Sequence, residues 1–380
     1  MNFFNIIFSF LILSFLITIA SSFYIFDDEE LKERQITIES LTNIREDFYM
    51  VNYKNDYYLE ELLKKGGKGI LEIYNYFYSK FGNYYDINTN PSQKDFSCSS
   101  FNVLNKNDQN LFGRNFDYQH SPSFIVWTQP KNGYKSISFS LGLFLGITNI
   151  ENIVKEKLLL IPYSPLDGLN EHGLGISVLV AQQKYSNHQT NPTKLNISTT
   201  IAMRAVLDHC KTTEEAIQLF DKYNMHDIDI SNSTSFHFFI TDNNAKSAVI
   251  EYVNNEMKVI RNHEFNFSDY VYVTNFYLNK PIGEDNKSGL NRYKILEEKL
   301  QNDNLRLDPE EAMDLLKNVS QTTTVWSNVY NTKNLDLLTS YNHSYSSLYK
   351  FNVLEPMKYK NMTGIDKINL IIKIFNCCKY

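Results

Sequence analysis

Cysteine is scarce in this chain, which has four among 380 residues: Cys98, Cys210, Cys377 and Cys378. Four cysteines are too few for a disulfide framework in a chain of this length, so a hydrophobic core must stabilise the fold instead. Apolar residues make up 43% of the sequence and aromatic residues 14%, which is enough for one large core or two modest ones. Residues 23–97 lack cysteine altogether, so we expect packing alone to hold this segment to the rest of the protein.

Basic residues are also fewer than acidic ones, with 37 Lys and Arg against 43 Asp and Glu. The formal net charge is −6, and the sequence does not provide the basic surface that nucleic-acid binding requires. Internal repeats and long low-complexity tracts are absent as well. We therefore expect an acidic globular protein without a nucleic-acid partner.

The N-terminus begins with an apolar run over residues 3–19, followed by the small residues Ala20, Ser21 and Ser22. This pattern is typical of a signal peptide, and we predict that it is cleaved after Ser22, which gives a signal peptide over residues 1–22. No lysine or arginine precedes the run, which leaves an uncleaved membrane anchor as the alternative. Both interpretations predict that the protein enters the secretory pathway.

Seven N-x-Ser/Thr sequons support export, and all of them follow Cys98. The expected location is therefore the secretory pathway, with the protein either lysosomal or secreted. The predicted glycosylation sites are Asn196, Asn232, Asn266, Asn286, Asn318, Asn342 and Asn361.

Residues 23–97 differ from the rest of the chain in their pattern. Over residues 57–81 apolar side chains recur at helical spacing on either side of a Gly-Gly pair, which predicts two short helices. A polar, proline-containing stretch follows over residues 82–94, as expected of an accessible linker. We therefore expect a mostly helical propeptide or small subunit over residues 23–97, followed by a larger domain over residues 98–380.

The larger domain has the pattern of short strands interrupted by groups of helices. Short runs rich in Ile, Val, Phe, Tyr and Ser predict strands at residues 99–104, 111–117, 123–129, 136–144, 158–162, 175–181, 236–241, 247–252, 270–275, 323–330 and 336–341. Helical periodicity predicts helices at residues 199–209, 213–223, 290–300 and 309–318, with Thr213 as the N-cap of the second. Strands and helices that alternate in groups favour an α+β domain of packed layers.

The first two strands of the larger domain predict a hairpin that begins at Cys98. Residues 105–110 between them are turn formers. If the pairing is centred in the middle of this turn, Cys98 lies directly opposite Asp117 and the two side chains share a face of the hairpin. Arg114 then points to the other face, unless a bulge near Gly113 turns it around.

A thiol opposite a carboxylate needs a compensating cation before it can react, because a neighbouring anion disfavours the thiolate. Arg114 is one candidate. The other is a free α-amino group on Cys98, which a cut between Ser97 and Cys98 would create. Such an amine has a pKa of about 7.7 to 8, close to the pKa of about 8.5 of a free thiol, so the cysteine would carry its own base. The alternative is that Cys98 is an inert, half-buried thiol.

His120 and His172 allow a different interpretation of Cys98, as the nucleophile of a papain-like protease with a histidine base. The nucleophile of such a protease lies where a helix begins, whereas residues 99–104 have the pattern of a strand. We therefore favour the N-terminal cysteine over the papain-like arrangement.

Five motifs follow one another between Cys98 and residue 351. After the cysteine come GRNFDY at residues 113–118, DGLNEHGL at 167–174, VTN at 273–275, NRY at 291–293 and TVWSNVY at 324–330. In their order and spacing they resemble the choloylglycine hydrolase family of linear amide hydrolases. Members of that family include bile salt hydrolases and penicillin V acylase, and its relatives include acid ceramidase and the N-acylethanolamine-hydrolysing acid amidase.

The resemblance implies the four-layer αββα sandwich of the N-terminal nucleophile hydrolases. It also implies a hydrolase that cleaves linear carbon–nitrogen amide bonds, with Cys98 as nucleophile and its amine as base after autocatalytic cleavage of the bond between Ser97 and Cys98. The segment before Cys98 resembles the arrangement of the acid ceramidase relatives, whose propeptide stays bound as a small subunit. This chemistry requires no metal and no organic cofactor.

Five further residues receive roles by this resemblance, and three of them have a structural alternative. Arg114 and Asp117 would hold the thiolate and the amine. Asn170 and Asn275 would contact the oxyanion or orient the substrate amide, unless Asn170 is a turn residue and Asn275 caps a strand. Arg292 would support the site, or would be an ion-paired helix residue.

The implied substrate is a small N-acyl amide whose acyl group we expect to be apolar, as in an N-acyl lipid. The apolar runs at residues 124–127 and 139–145 either line a lipid-sized cleft, with peripheral contact to lipid, or belong to the core. Fatty-acyl ethanolamides, ceramides, bile-acid conjugates and acylated amino acids all fit. The alternative functions are an acyltransferase or dipeptide hydrolase with the same nucleophile, and a catalytically inactive secreted glycoprotein with this fold.

Overall fold

A computed structural model describes residues 28–67, 69–82, 97–151, 153–181, 189–226, 235–264, 270–279, 288–302 and 304–362. The predicted signal peptide, almost all of the predicted linker and the sequons at Asn232, Asn266 and Asn286 lie outside these residues. Within the described ranges, no helix is both long enough and apolar enough to cross a membrane.

Two large sheets lie face to face in the described structure, with their strands numbered in chain order. The first sheet has nine strands in the order β1 (Thr42–Arg45), β2 (Phe48–Tyr53), β5 (Ser123–Thr128), β6 (Ser136–Leu141), β7 (Asp167–Asn170), β8 (Gly175–Ala181), β11 (Ser235–Thr241), β12 (Ser247–Val253) and β13 (Glu256–Arg261). The second has seven strands in the order β14 (Tyr272–Val273), β3 (Ser97–Leu104), β4 (Asn110–Asp117), β15 (Thr324–Asn331), β16 (Asp336–Tyr341), β17 (Leu348–Asn352) and β18 (Lys360–Met362). A separate parallel pair is formed by β9 (Asn196–Ile197) and β10 (Asn224–Met225).

Helices cover the outer faces of both sheets. In the numbering used here, α4 (Thr199–His209) and α5 (Thr213–Lys222) pack on the nine-stranded sheet, and α6 (Leu290–Leu300) and α7 (Pro309–Asn318) pack on the seven-stranded sheet. The inner faces meet in a shared core, where Phe112 of β4 stacks on Phe239 of β11 with ring centroids 5.4 Å apart. This arrangement confirms the predicted αββα sandwich.

Most predicted elements of the larger domain are confirmed, but one cap and one strand are wrong and two strands are shorter than predicted. The strand predicted at 136–144 ends at Leu141, before a 3-10 helix over Gly142–Leu145, and the strand predicted at 270–275 is limited to Tyr272–Val273. The predicted bounds agree with the structure for α4, α6, α7, β8 and β16. The cap of α5 is Thr212 rather than Thr213, because the Thr212 hydroxyl accepts a hydrogen bond from the Glu215 amide. The strand predicted at residues 158–162 is a 3-10 helix over Lys155–Tyr163, within which Pro162 could not have donated to a β-ladder.

The described part of the segment before Cys98 contains three helices and two strands. Its helices are α1 (Asp28–Glu39), α2 (Leu59–Lys65) and α3 (Gly69–Phe81), of which the last two are the pair predicted on either side of the glycines. Strands β1 and β2 were not predicted, because a six-residue apolar run such as β2 cannot be assigned to strand or helix by periodicity. β2 pairs in parallel with β5, so this segment is an integral part of the nine-stranded sheet.

Candidate active site

Cys98 is the second residue of β3, the first strand of the β3–β4 hairpin. The register of the hairpin pairs Ser97 with Asp117 and Cys98 with Phe116. The prediction that Cys98 lies opposite Asp117 is therefore wrong by one residue, because Asn110 already belongs to β4 and the loop is one residue shorter than expected. The carboxylate lies on the opposite face of the hairpin from the thiol.

The register also places Arg114 on the same face as Cys98. Arg114 pairs with Ser100, which is two residues along β3 from Cys98, so all three side chains point into the space between the sheets. The expectation that Arg114 points away from Cys98 is therefore wrong, and no bulge near Gly113 is involved, because the pairing is regular there. Glycine is required at this position for another reason, since a Cβ on Gly113 would lie 2.4 Å from the ring of Phe101 on the opposite strand.

Arg114 is fully buried beside the thiol. Its Nη2 donates to the main-chain oxygen of Val178 in β8 at 2.7 Å, and its Nε lies 3.7 Å from Oδ2 of Asp167. Burial raises the pKa of the Cys98 thiol, the positive charge of Arg114 lowers it, and the charge of Asp117 adds to the increase. Arg114 is therefore the side chain that favours the thiolate.

Asp167 orients Arg114 from the facing sheet, a role that the sequence analysis did not assign. The carboxylate accepts hydrogen bonds from Trp326 Nε1 and Asn328 Nδ2, both at 2.8 Å, and from the Tyr330 hydroxyl. Burial raises the pKa of Asp167, whereas Arg114 and these donors lower it. The three donors alternate along β15 and so share one face, which is a sequence signal that could have revealed their common partner.

The main chain of Cys98 is held by two side chains from distant parts of the sequence. Its N–H donates to Asn275 Oδ1 at 2.7 Å, and its carbonyl oxygen accepts a hydrogen bond from Arg292 Nη1. Arg292 also donates to Asn275 Oδ1 at 2.6 Å and to Ser99 Oγ at 2.8 Å. The structure thus brings together Cys98, Asn275 and Arg292, which the sequence analysis selected for the site.

Asn275 reaches Cys98 because β14 forms the edge of the seven-stranded sheet beside β3. The two strands are antiparallel, with Val273 opposite Ser100. Continuing this register by two residues places Asn275 opposite Cys98. The amide of Asn275 also donates from Nδ2 to the main-chain oxygen of Val180 in the facing sheet at 2.7 Å, so it bridges the two sheets at the thiol.

Arg292 comes from the first turn of α6, which begins after Gly289. Gly289 has a φ of 77°, a left-handed conformation that glycine adopts without strain. A Cβ at this position would lie 2.9 Å from Arg292 Nη2. Burial lowers the pKa of Arg292, and the charge of Asp117, whose Oδ2 lies 3.8 Å from Nη1, raises it.

Only one of the two carboxylate oxygens of Asp117 accepts a hydrogen bond from a described residue. Its Oδ1 accepts a hydrogen bond from Thr324 Oγ1 at 2.5 Å. Its Oδ2 is buried and has no hydrogen-bond partner among the described residues. Burial raises the pKa of Asp117 to about 6, against the lowering effects of Arg292 and Thr324. Since Asp117 is opposite Ser97 and faces away from the thiol, its open oxygen is suited to an amine at residue 98 rather than to the thiol itself.

Asn170 does not reach the site. Its Nδ2 donates to the main-chain oxygens of Leu207 and Cys210 at 3.1 and 2.7 Å, and its Oδ1 accepts from the amides of His172 and Leu174. All four hydrogen-bonding positions of the amide are therefore used in closing the turn between β7 and β8 and in binding the end of α4. The predicted contact of Asn170 with an oxyanion is wrong, and the alternative role in a turn is correct.

The remaining predicted features also have structural roles outside the site. Phe124 and Phe139 of the two apolar runs are fully buried, so these runs form core rather than a lipid-sized cleft. The His120 ring contacts the Tyr341 hydroxyl at 3.2 Å. The His172 ring packs edge-on against Tyr134. Neither contact supports a histidine base at Cys98.

An αββα sandwich that carries a buried thiol on the first strand of its inner hairpin is the architecture of the N-terminal nucleophile hydrolases. Residues 98–280 match the family described as linear amide C-N hydrolases, choloylglycine hydrolase family. Over these residues, a little under half of the chain, the sequence is similar to that family.

The chain is also similar in sequence to an individual curated protein. A bile salt hydrolase/transferase from Clostridium perfringens (strain 13 / Type A) is 28% identical over 172 residues, which are 44% of this chain and 51% of that protein. The chain thus aligns with about half the length of this curated relative.

Two solved structures are also similar. A mutant conjugated bile acid hydrolase from Clostridium perfringens has a TM-score of 0.51 at 17% identity, with 70% of this chain and 96% of that chain covered, which shows the common fold. An N-acylethanolamine-hydrolyzing acid amidase ortholog from Caenorhabditis elegans has a TM-score of 0.43 at 19% identity, with 62% of this chain and 93% of that chain covered.

Proposed function

We propose that this protein hydrolyses linear N-acyl amides with Cys98 as nucleophile, after cutting its own chain between Ser97 and Cys98. The observation that carries the proposal is the pair of hydrogen bonds to the main chain of Cys98, one from its N–H to Asn275 and one from Arg292 to its carbonyl oxygen. A cysteine that served only packing would have its amide and carbonyl in the β-ladder. Side chains that hold both groups keep residue 98 in place when its peptide bond to residue 97 is broken.

The proposed cut is an acyl shift from nitrogen to sulfur at residue 98. The Cys98 thiolate attacks the carbonyl carbon of Ser97, so that a carbon–sulfur bond forms, the bond to the Cys98 nitrogen breaks and that nitrogen takes up a proton. Water then hydrolyses the thioester, which leaves a carboxylate on Ser97 and a free thiol and amine on Cys98. The new amine keeps its hydrogen bond to Asn275 Oδ1, and the open oxygen of Asp117 accepts another.

The same thiol then acts on an amide substrate. The amine of Cys98 accepts the thiol proton, and the thiolate, favoured by Arg114, attacks the amide carbonyl. One hydrogen of Asn275 Nδ2 is committed to Val180, and the other remains to stabilise the oxyanion, a contact whose loss typically costs about 10² to 10³ in rate. The substrate nitrogen leaves with the proton, and water hydrolyses the acyl-enzyme to the carboxylic acid and the free thiol.

We further propose an N-acyl lipid or a related N-acyl amide as the substrate class. The family acts on linear amides, which supports the reaction but leaves the acyl and amine groups open. Acyl transfer to an added amine is the second candidate function, because the curated relative is described as a hydrolase/transferase. Product analysis with and without a second amine distinguishes the two.

We also propose that residues 23–97 stay bound after the cut as a non-covalent small subunit. The pairing of β2 with β5 and the burial of Phe48 and Tyr53 support this. Export is part of the same proposal, since of the described sequons Asn318, Asn342 and Asn361 are exposed. Asn196 is half-buried, and its Oδ1 accepts a hydrogen bond from Asn224.

The proposal is tested by N-terminal sequencing of the purified, deglycosylated protein after incubation at acidic and at neutral pH. We expect a large chain that begins at Cys98, together with release of an acid and an amine from N-acyl amides. Cys98→Ala should give one uncut chain without activity, whereas Cys210→Ala, which changes a buried cysteine outside the site, should still be cut. A wild-type chain that remains intact at both pH values would remove the nucleophile from this proposal.

A further inference from the structure

A second pair of ionisable side chains lies behind the site and is not used by the proposed chemistry. His237 of β11 and Glu251 of β12 are both fully buried, with His237 Nδ1 at 3.2 Å from Glu251 Oε1. The other ring nitrogen, Nε2, lies 2.8 Å from the main-chain oxygen of Thr274. The carboxylate also accepts hydrogen bonds from the amides of Leu278 and Asn279, at 2.7 and 3.0 Å.

These contacts determine the protonation of the ring. Both partners of His237 are acceptors, since one is a carboxylate oxygen and the other a main-chain carbonyl. A neutral imidazole has one N–H and can satisfy only one of them, whereas the imidazolium donates to both. Glu251 already accepts two amide hydrogens, which favours its ionised form. The geometry is therefore that of a charged imidazolium–carboxylate pair.

The pair holds the chain segment that carries Asn275. Protonated His237 binds the carbonyl of Thr274, immediately before Asn275, and Glu251 binds the amides of Leu278 and Asn279, a few residues after it. Asn275 is thus fixed from both sides.

Within the described residues, the other side chains placed beside the ring are uncharged. The cross-strand partner of His237 on β8 is the apolar Leu179. From the held segment itself, the Tyr277 ring faces His237 with centroids 6.2 Å apart. Among the described contacts of the ring, the one with Glu251 is with an ionisable group.

We propose that His237 and Glu251 are positioning residues that keep Asn275 on Cys98 only while His237 is protonated, so that the site loses activity when this histidine loses its proton. Loss of the proton leaves Nε2 and the Thr274 oxygen facing each other as two acceptors, and the segment moves away from the ring. The proposal rests on the proposed function, because Asn275 affects a rate only if Cys98 reacts. The proposal predicts a decrease in the rate of self-cleavage as the pH rises.

The test measures self-cleavage of the full precursor as a function of pH, which requires no substrate. Glu251→Gln removes the charge that stabilises the imidazolium, so the loss of cleavage should move to lower pH by about one unit, with a decrease of about fivefold at the pH where the wild type is half-active. His237→Gln should be slow at every pH and should no longer show the alkaline decline. His120→Gln is the matched control, because this histidine is exposed on the surface, and its profile should equal that of the wild type.

A second measurement does not depend on cleavage or on folding of a variant at the pair. In uncut Cys98→Ala protein, the rate of deuterium exchange at the imidazole C2 position reports the titration of each histidine. Amide exchange of a peptide covering residues 274–279 should increase over the same pH range in which His237 loses its proton. If the wild-type protein never cuts itself, the proposed function is rejected. If the increase in amide exchange at residues 274–279 still coincides with the loss of the His237 proton, the control of this segment by the pair is nevertheless supported.

Two results would overturn the inference. One is a His237 ring that is neutral throughout the pH range in which the protein cuts itself. The other is a Glu251→Gln profile that is lower by the same factor at every pH, as a purely structural defect would produce.

Discussion

At the scale of single residues, the unpaired oxygen of Asp117 has a clear energetic consequence. Burial raises the pKa of this carboxyl from 3.8 to about 6, so the folded precursor binds the proton more tightly than the unfolded chain does. The contribution of this group to stability is therefore greatest below about pH 4 and decreases as the pH rises through about 6. At neutral pH the charged carboxylate costs the precursor stability, and a new ammonium at Cys98 would offset part of that cost.

We expect Asp117→Asn, in the uncut Cys98→Ala background, to remove this pH dependence. Between about pH 4 and pH 6, the free energy of unfolding of the Asp117 protein should fall by about 2 kcal/mol relative to that of the Asn variant. Urea unfolding at a series of pH values measures the difference. Asp314→Asn, an exposed carboxylate on α7, is the control and should leave the pH dependence unchanged. A difference that is constant with pH would contradict the assignment of this titration to Asp117.

The residue scale also shows what the sequence can and cannot predict. Cys98, Arg114, Asn275 and Arg292 were selected by motif order, and they lie together in the structure. The motif did not predict the direction of a side chain. Asn170 matches its motif position, but its side-chain amide makes hydrogen bonds to a turn and to the end of a helix. These contacts depend on the tertiary structure, so the motif could not reveal them.

At the scale of secondary structure elements, Asn170 connects the β7–β8 turn to the end of α4. We expect Asn170→Ala to lower the free energy of unfolding by about 2 to 4 kcal/mol, because it leaves buried main-chain groups without partners. The rate of self-cleavage of the folded protein should be nearly unchanged. Asn275→Ala is the comparison and should block cleavage. Unfolding curves and gel assays of the two variants measure both quantities, and a folded Asn170→Ala protein that fails to cut itself would restore a catalytic role to Asn170.

Elements were predicted best where local chemistry determines them. The bounds of α7 follow from its first turn, where Asp308 and Glu311 form a capping box. The register of the β3–β4 hairpin was missed by one residue, because several consecutive turn formers allow more than one loop length. β2 was missed because its partner β5 is distant in sequence, and β1 was missed with it because β1 pairs with β2.

At the scale of the whole molecule, the segment before Cys98 is joined to the larger domain by a buried side-chain contact as well as by β2. The Tyr57 hydroxyl donates to Asp208 Oδ2 at 2.5 Å, and Asp208 is also held by Arg204 at 2.6 Å. Both sides of this contact are almost fully buried.

We expect Tyr57→Phe to weaken the binding of the small chain in the cut protein by about 1 to 3 kcal/mol, because Asp208 loses a buried donor. The small chain should then leave the large chain at a lower urea concentration, as measured by size-exclusion chromatography without reducing agent. Tyr359→Phe, at a position that is 44% exposed, should have no effect. Equal dissociation of both variants would show that Tyr57 is not an anchor.

If the chain is cut between Ser97 and Cys98 as proposed, the place of β2 between β1 and β5 makes unfolding of the cut protein hard to reverse. In the intact chain, β2 reaches β5 as part of a single folding reaction, and β5 is never a sheet edge. After a cut at residue 97, a molecule that unfolds becomes two molecules, and its recovery depends on the concentration of a short chain that must add a strand to an exposed edge. The precursor should therefore refold from urea at any dilution, whereas the mature protein should refold only when it is concentrated.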